Sequence, residues 1–217
     1  MTKHRNYYKS NREEMLEFVP NTAKAILDIG CSEGNFGRLL KQRNNAIIYG
    51  VEIDNASYKK AKNKLDKVYL GGVEENLKKI PKKYFDCIVF NDVLEHLKNP
   101  DAVVQSIKTK LKKGGSIVVS LPNIRNFKIL KQIIFEKDFK YTTDGILDKT
   151  HLRFFTYKSM RYFFENNGLI VIKEKGIGKS KNFIFNLVNF LTFGFFTDSL
   201  YNQFAFSLKY KISGKVK

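Results

Sequence analysis

The stretch Ile26-Leu27-Asp28-Ile29-Gly30-Cys31-Ser32-Glu33-Gly34-Asn35-Phe36-Gly37 puts an acidic side chain at the end of an apolar run, just before a glycine-containing turn. Glycines in such a turn let a ligand come close to the backbone. The spacing Ser32, Gly34, Gly37 is a degraded dinucleotide fingerprint. Asp28 argues against that ligand class, because its carboxylate would repel a pyrophosphate seated on the next helix. The same carboxylate attracts a ligand carrying a positive sulfonium and a free amino group. Glu52 closes a second apolar run 24 residues beyond Asp28 and can accept both hydroxyls of a ribose.

Three histidines are available for proton chemistry: His4, His96 and His151. His4 lies in a polar tail. His96 follows Asp92 by four residues, which places both on one face if the segment is helical; it either packs there or takes part in catalysis. His151 sits in GILDKTHLRFFT, where acid, hydroxyl, imidazole and guanidinium are crowded together. It is either a loop anchor or a base for a hydroxyl acceptor. Cys31 and Cys87 form no CxxC pair and no His/Cys cluster, so no metal site is expected. Free thiols in apolar runs fit a reducing compartment. The opening MTKHRNYYKSNREE has no apolar core and does not read as a signal peptide. Both features point to a cytoplasmic protein.

The elements that must position these groups follow a regular alternation. Strands are predicted at Ala25–Ile29, Ala46–Ile53, Lys67–Leu70, Phe85–Phe90 and Ser116–Leu121. Helices are predicted at Phe36–Lys41, Asn55–Leu65, from Val93 to the break at Pro100, and at Asp101–Leu111. Such alternation gives a parallel sheet with helices on both faces, and near-continuous apolar strands agree with burial on both sides. The expected fold is an α/β, Rossmann-like doubly wound sheet, mostly parallel, with a C-terminal antiparallel strand near Gln203–Lys211. One domain spans 1–217, with a helical segment at 1–20. Residues 123–150 show no clear period; 157–167 read as a helix and Leu169–Lys173 as a strand.

ILDIGCSEGNFG resembles the first motif of class I S-adenosylmethionine-dependent methyltransferases. YGVEID resembles their second-strand motif, FDCIVFNDVLEHLKNP their fourth-strand motif, and KKGGSIVVSLPN their fifth-strand region. The four matches fall in order over about residues 25–123. The resemblance implies S-adenosylmethionine as cofactor and S-adenosylhomocysteine as product. It places Asp28 and Gly30 through Gly34, with Cys31 and Ser32 among them, around the methionine moiety, Glu52 at the ribose hydroxyls, and Asn91 and Asp92 beside the sulfonium, with Phe36 and Ile53 as further cofactor-binding positions. Ser32 stands where the family has a second glycine. Gly72 stands where an acid commonly meets the adenine amino group, which leaves that contact to Val73 and Glu74.

GILDKTHLRFFT and the terminal LYNQFAFSLKYK resemble a branch of these enzymes associated with cell-surface polysaccharide and glycan biosynthesis. That resemblance implies a sugar or sugar-linked acceptor. It also suggests His151 as base or proton carrier, Asp148 as its orienting group, and Arg153 either on an anionic part of the substrate or paired with Asp148. Residues 123–156 and 176–202 would be the insertions that cover the substrate.

The net charge of +18 fits either a lysine-rich composition spread over solvated faces or an anionic partner. A nucleic-acid methyltransferase is the rival reading. No appended binding domain is visible, and Asn91-Asp92-Val93-Leu94 lacks the Pro-Pro-aromatic pattern of base-amino methylators, so DNA is not expected. A non-catalytic module that keeps this fold is disfavoured by the presence of both Asp28 and Glu52. Residues 183–196 hold six phenylalanines with apolar residues at helical spacing. This segment reads as a lid, a homodimer face, or a membrane-surface contact through 183–200.

Overall fold

The computed structural model describes residues 11–211. Seven strands form one sheet: β1 (Ala25–Ile29), β2 (Ile47–Glu52), β3 (Lys67–Leu70), β4 (Phe85–Asn91), β5 (Leu111–Pro122), β6 (Leu169–Lys179) and β7 (Tyr201–Tyr210), in the order β3-β2-β1-β4-β5-β7-β6. Strands β1 to β5 pair in parallel. Strand β7 runs antiparallel between β5 and β6. The doubly wound sheet with an antiparallel C-terminal strand is therefore the observed fold.

The helices are α1 (Asn35–Asn44), α2 (Asn55–Ala61), α3 (Val73–Asn76), α4 (Pro100–Lys108), α5 (Phe127–Phe135), α6 (Tyr157–Asn166) and α7 (Phe183–Leu191). Successive strand residues point to opposite faces, and two cores result. Leu27, Ile29, Ile88, Phe90 and Val119 meet Val103 and Ile107 of α4 and Phe164 of α6. Ile26, Cys87, Val89 and Val118 meet Phe36 and Leu40 of α1 and Ala61 of α2. Strand β1 is buried along its whole length, Asp28 included, as its near-continuous apolar run between two parallel neighbours requires. Side-chain caps fix the helix starts: Asp54 accepts from Ser57 N, Asn99 from Ala102 N, and Thr156 pairs reciprocally with Ser159.

Within the expected helical segment at 1–20, Glu13–Phe18 form a 3-10 helix, and residues 1–10, including His4, lie outside the described residues. Three expectations need correction. Residues 94–96 form a single 3-10 turn, because Asp92 takes a left-handed backbone (φ 53°) that no helix continues. Asp92 and His96 therefore do not share a helix face. Strand β6 runs on to Lys179, held by antiparallel pairing with β7 that its own polar residues do not reveal. Residues 123–150, without visible period, contain α5, capped by Asn126; its only buried residue is Phe127, so little hydrophobic pattern is imposed on it.

Candidate active site

The loop after β1 is built by β2. Gly30 N and Cys31 N both donate to Val51 O (2.9 and 3.0 Å). Gly30 has φ 71°, and a Cβ there would lie 2.6 Å from Val93 Cγ2, so the loop passes directly against the end of β4. Ser32 also lies in the left-handed region (φ 51°), where a second glycine would be unstrained. Glu52 offsets this: its Oε2 accepts from Ser32 N at 2.7 Å and its Oε1 from Asp54 N at 2.8 Å. Each carboxylate oxygen keeps a further lone pair for a ribose hydroxyl.

Electrostatically the loop invites a cation. Asp28 is fully buried, and desolvation together with the neighbouring Glu52 pushes its carboxyl from 3.8 to about 7. Burial also raises Glu52, against the pull of the backbone N–H groups it accepts. Two buried acids side by side are costly until a positive ligand joins them. Burial holds the Cys31 thiol far above its usual range, so it is not a nucleophile.

The other predicted positions lie at the ends of β2 and β4, at the start of α3 and in the core beneath the loop. Ile53 is 75% exposed beside Glu52, an apolar surface open to a flat ring. Val73 is buried at the start of α3, and Glu74 is exposed next to it. Asn91 ends β4 with a buried Oδ1 that has no hydrogen-bond partner among the described residues. Asp92 turns elsewhere: its carboxylate meets the Arg12 guanidinium and the Ser120 hydroxyl (3.0 Å), and Arg12 also reaches Ser120 Oγ at 2.9 Å. Phe36 and Cys31 are buried in the core beneath the loop, so their side chains support it from below. Arg12 carried no sequence signal, since only folding brings it to Asp92.

A second cluster lies just beyond β4. Leu152 N donates to Glu95 O, docking the insertion onto the 94–96 turn. Buried Glu95 then comes 3.9 Å from His151 Nε2, and the His96 and His151 rings meet edge to face at 4.6 Å. His151 Nδ1 lies 3.0 Å from Ile146 O. Since a carbonyl only accepts, Nδ1 carries the hydrogen and Nε2 can take up a proton. One ligand atom each from Glu95, His96 and His151 fall within 4.8 Å of one another, a set that could also hold a divalent cation. The cysteine-based expectation of no metal did not consider this trio.

Asp148 Oδ1 accepts from both Thr150 N (2.8 Å) and Thr150 Oγ1 (2.7 Å), and that hydroxyl stands 3.1 Å from His96 Nδ1. Asp148 therefore reaches His96 through Thr150, and its backbone carbonyl accepts from His151 N at 2.9 Å, while the Ile146 carbonyl lies against the His151 ring. Arg153 donates to the carbonyls of Leu97 and Lys98, pinning the insertion. Its guanidinium is spent on backbone because the 94–96 turn leaves those carbonyls open. Glu95, missed in the sequence, carried one signal: an acid directly beside a histidine after a strand end.

A cavity of about 950 Å³ opens on the far side of β7, between the start of α6, β6 and residues 194–204. Arg125, Lys158, Lys175 and Glu174 line it together with Tyr157, Tyr201 and Phe204. Arg125 is paired to Asp198 at 2.5 Å.

Comparison with known proteins gives the family. A family model described as a methyltransferase domain matches residues 1–174. The chain belongs to that methyltransferase family. The enzyme is 23% identical over 172 residues to a ubiquinone biosynthesis O-methyltransferase of Shewanella sp. (strain ANA-3), covering 75% of this chain and 72% of the relative. It is 25% identical over 160 residues to a protein of the same name from Coxiella burnetii, covering 71% and 67%. Among solved structures it is similar in fold to an S-adenosylmethionine-dependent methyltransferase from Archaeoglobus fulgidus, with TM-score 0.69, 20% identity and 94% of each chain covered. The methyltransferase uses S-adenosylmethionine and yields S-adenosylhomocysteine. The donor set fits: buried acids for the cationic amino acid end, Glu52 for the ribose, and the orphaned Asn91 oxygen beside the strand end.

Proposed function

We propose that this methyltransferase methylates a hydroxyl of a small acceptor, a sugar or sugar-linked group that is nucleotide- or lipid-linked. The observation that carries the hydroxyl is the convergence of Glu95, His96 and His151 directly after β4. An amine need only arrive unprotonated, whereas a hydroxyl profits from a group that removes its proton. S-adenosylmethionine, when bound, supplies an activated methyl group with a good leaving group. The chain's own part is to position and to deprotonate. Asn91 would orient the sulfonium end through its buried oxygen, and Asp28 and Glu52 would hold the cationic and ribose ends. His151 Nε2 would accept the acceptor's proton, with buried Glu95 stabilising the imidazolium. His96, held by Thr150 and Asp148, would wall the site.

The sugar-linked acceptor rests on the resemblance of GILDKTHLRFFT to glycan-modifying enzymes; the cavity beside β7 does not select an anion, because its Arg125 pairs with Asp198, its Lys175 with Glu17, and Glu174 also lines it. The curated relatives' name offers a phenolic hydroxyl as the competing acceptor. The test is transfer of labelled methyl from S-adenosylmethionine to three separate pools: nucleotide sugars with lipid-linked sugar phosphates, hydroxylated quinol precursors, and RNA. Label in the sugar pool as an ether is the expected result. Label confined to the quinol pool would keep the hydroxyl chemistry and discard the sugar. Label in RNA, with salt-sensitive RNA binding, would overturn both.

A further inference from the structure

The segment Lys175–Thr197 contains no acidic residue and ends in a hairpin whose outer side is apolar. Helix α7 has no buried residue. Phe183, Ile184, Leu187, Phe190 and Leu191 are all exposed, and they share one helical face by their spacing of one, four, seven and eight. Phe193 beyond it is 100% exposed and Phe190 77%. Large apolar side chains gathered like this mark a contact surface.

The side-chain amides and hydroxyl of the hairpin bond to its own backbone. Asn186 Nδ2 donates to Asn182 O (2.7 Å) and Ser180 O (3.2 Å), and Thr192 Oγ1 to Val188 O (2.8 Å). Asn182 caps α7 through Phe185 N. The hairpin is also anchored rather than loose. Phe185 stacks on Phe127 of α5 at 4.8 Å, Phe196 approaches the same ring at 5.3 Å, and the Arg125 guanidinium lies over Phe195 and Phe196.

We propose that this hairpin docks the methyltransferase onto the surface of an anionic lipid bilayer, with Phe183, Phe190, Leu191 and Phe193 entering the acyl boundary and Lys179 and Lys181 meeting the headgroups. Two features select lipid over a protein partner. Internal satisfaction of the hairpin's side-chain amides and hydroxyl is what hydrocarbon demands and what a polar protein surface does not. The cationic flanks, without a counter-charge in the segment, complement anionic headgroups. A nine-residue helix rises about 14 Å, too short to span a bilayer core of about 30 Å. No helix among the described residues is long and apolar enough to cross, so the contact lies in the interface plane. The inference is independent of the acceptor chemistry, and it would put a lipid-linked acceptor within reach.

The test is co-sedimentation of the full chain with vesicles of phosphatidylcholine alone and of phosphatidylcholine mixed with phosphatidylglycerol. The protein should pellet with the mixed vesicles and not with the neutral ones, less so at high salt. Phe190→Ser with Phe193→Ser should weaken this at least ~10-fold, since two large apolar side chains no longer enter the acyl boundary. Lys179→Gln with Lys181→Gln should weaken it several-fold. Unchanged S-adenosylhomocysteine affinity would show that both variants are folded. Wild-type protein that stays in the supernatant with both vesicle types would overturn the proposal. So would a phenylalanine variant that pellets like the wild type, or a homodimer in sedimentation equilibrium that the phenylalanine variant dissociates.

Discussion

Glu52 accepts the backbone N–H of Ser32 at 2.7 Å, so the carboxylate that ends β2 also holds the loop that leaves β1. The loop needs this tie because Ser32 keeps a left-handed backbone without being glycine, a conformation costing on the order of 1 kcal/mol. Recognition and loop geometry thus depend on one side chain.

Glu52→Gln should therefore damage more than one ribose contact. An amide has one oxygen and cannot accept from Ser32 N and Asp54 N at its two ends as the carboxylate does. Charge-assisted hydrogen bonds contribute about 1.5–3 kcal/mol each. Titration calorimetry with S-adenosylhomocysteine should show affinity reduced ~10-fold or more, with NAD silent in both proteins. Ser32→Gly, which removes the backbone strain, should preserve affinity and raise the melting temperature. An unaltered affinity in Glu52→Gln would remove this carboxylate from the cofactor site.

Asp28 makes the cofactor-free protein pH-sensitive. Its folded pKa of about 7 lies above the ordinary 3.8. Its contribution is thus fully favourable below about pH 4, where both states are protonated, and is lost as pH rises towards and through 7, because the unfolded chain ionises first. The expected loss is roughly 2–4 kcal/mol. Thermal melts without cofactor should fall between pH 5 and pH 8, and Asp28→Asn should flatten that slope while weakening cofactor binding. Bound S-adenosylmethionine, by pairing with the ionised acid, should release protons near pH 6.5 when titrated in buffers of different ionisation enthalpy. Equal slopes in wild type and Asp28→Asn would assign the pH dependence to another group.

The parts of the fold that bury continuous apolar strands were legible in the sequence. Strands β1 and β3 fall at their predicted bounds, Ala25–Ile29 and Lys67–Leu70: β1 is buried throughout between β2 and β4, whereas β3 is an edge strand with only Tyr69 buried, bounded by the turn at Gly71-Gly72. What escaped depends on partners distant in the chain. Arg12 reaches Asp92 across 80 positions, and Glu95 meets His151 only because the insertion folds back over the 94–96 turn. Helix α5 escaped because it presents almost nothing to a core. The cofactor loop was readable because its chemistry is local; the second cluster was not, because it joins Glu95 and His96 to His151 across the whole of β5 and α5.

Gly50 tests how tightly the cofactor loop is packed. An added Cβ would lie 2.6 Å from Cys31 Sγ and 2.9 Å from Leu65 Cδ1, both in the core beneath the loop. Cys31 is the residue whose N–H joins Gly30 on Val51 O, so displacing its side chain should disturb the loop itself. Gly50→Ala should cost about 1–3 kcal/mol by overpacking, read as a lower denaturant midpoint at unchanged slope. Cofactor affinity should fall with it. Gly50→Ala with Cys31→Ala, which makes room, should recover much of both. Failure of the double variant to recover would mean that the loop is not set by this contact.

The Glu95, His96 and His151 cluster separates proton transfer from metal binding. If His151 acts as the base, His151→Ala should lower kcat by ~10²–10⁴ without changing S-adenosylhomocysteine affinity. Glu95→Gln should lower kcat and shift the acidic limb of the pH profile downward, because the carboxylate no longer stabilises the imidazolium 3.9 Å away. Chelation should then leave the rate unchanged. If instead the three ligand atoms hold a divalent ion, a chelator should abolish turnover, added Zn²⁺ or Mn²⁺ should restore it, and His96→Ala should be as damaging as His151→Ala. Metal content measured on the purified wild type and on Glu95→Gln decides between them before any acceptor is known: a stoichiometric ion lost in the variant would replace the base assignment, and none in either would support it.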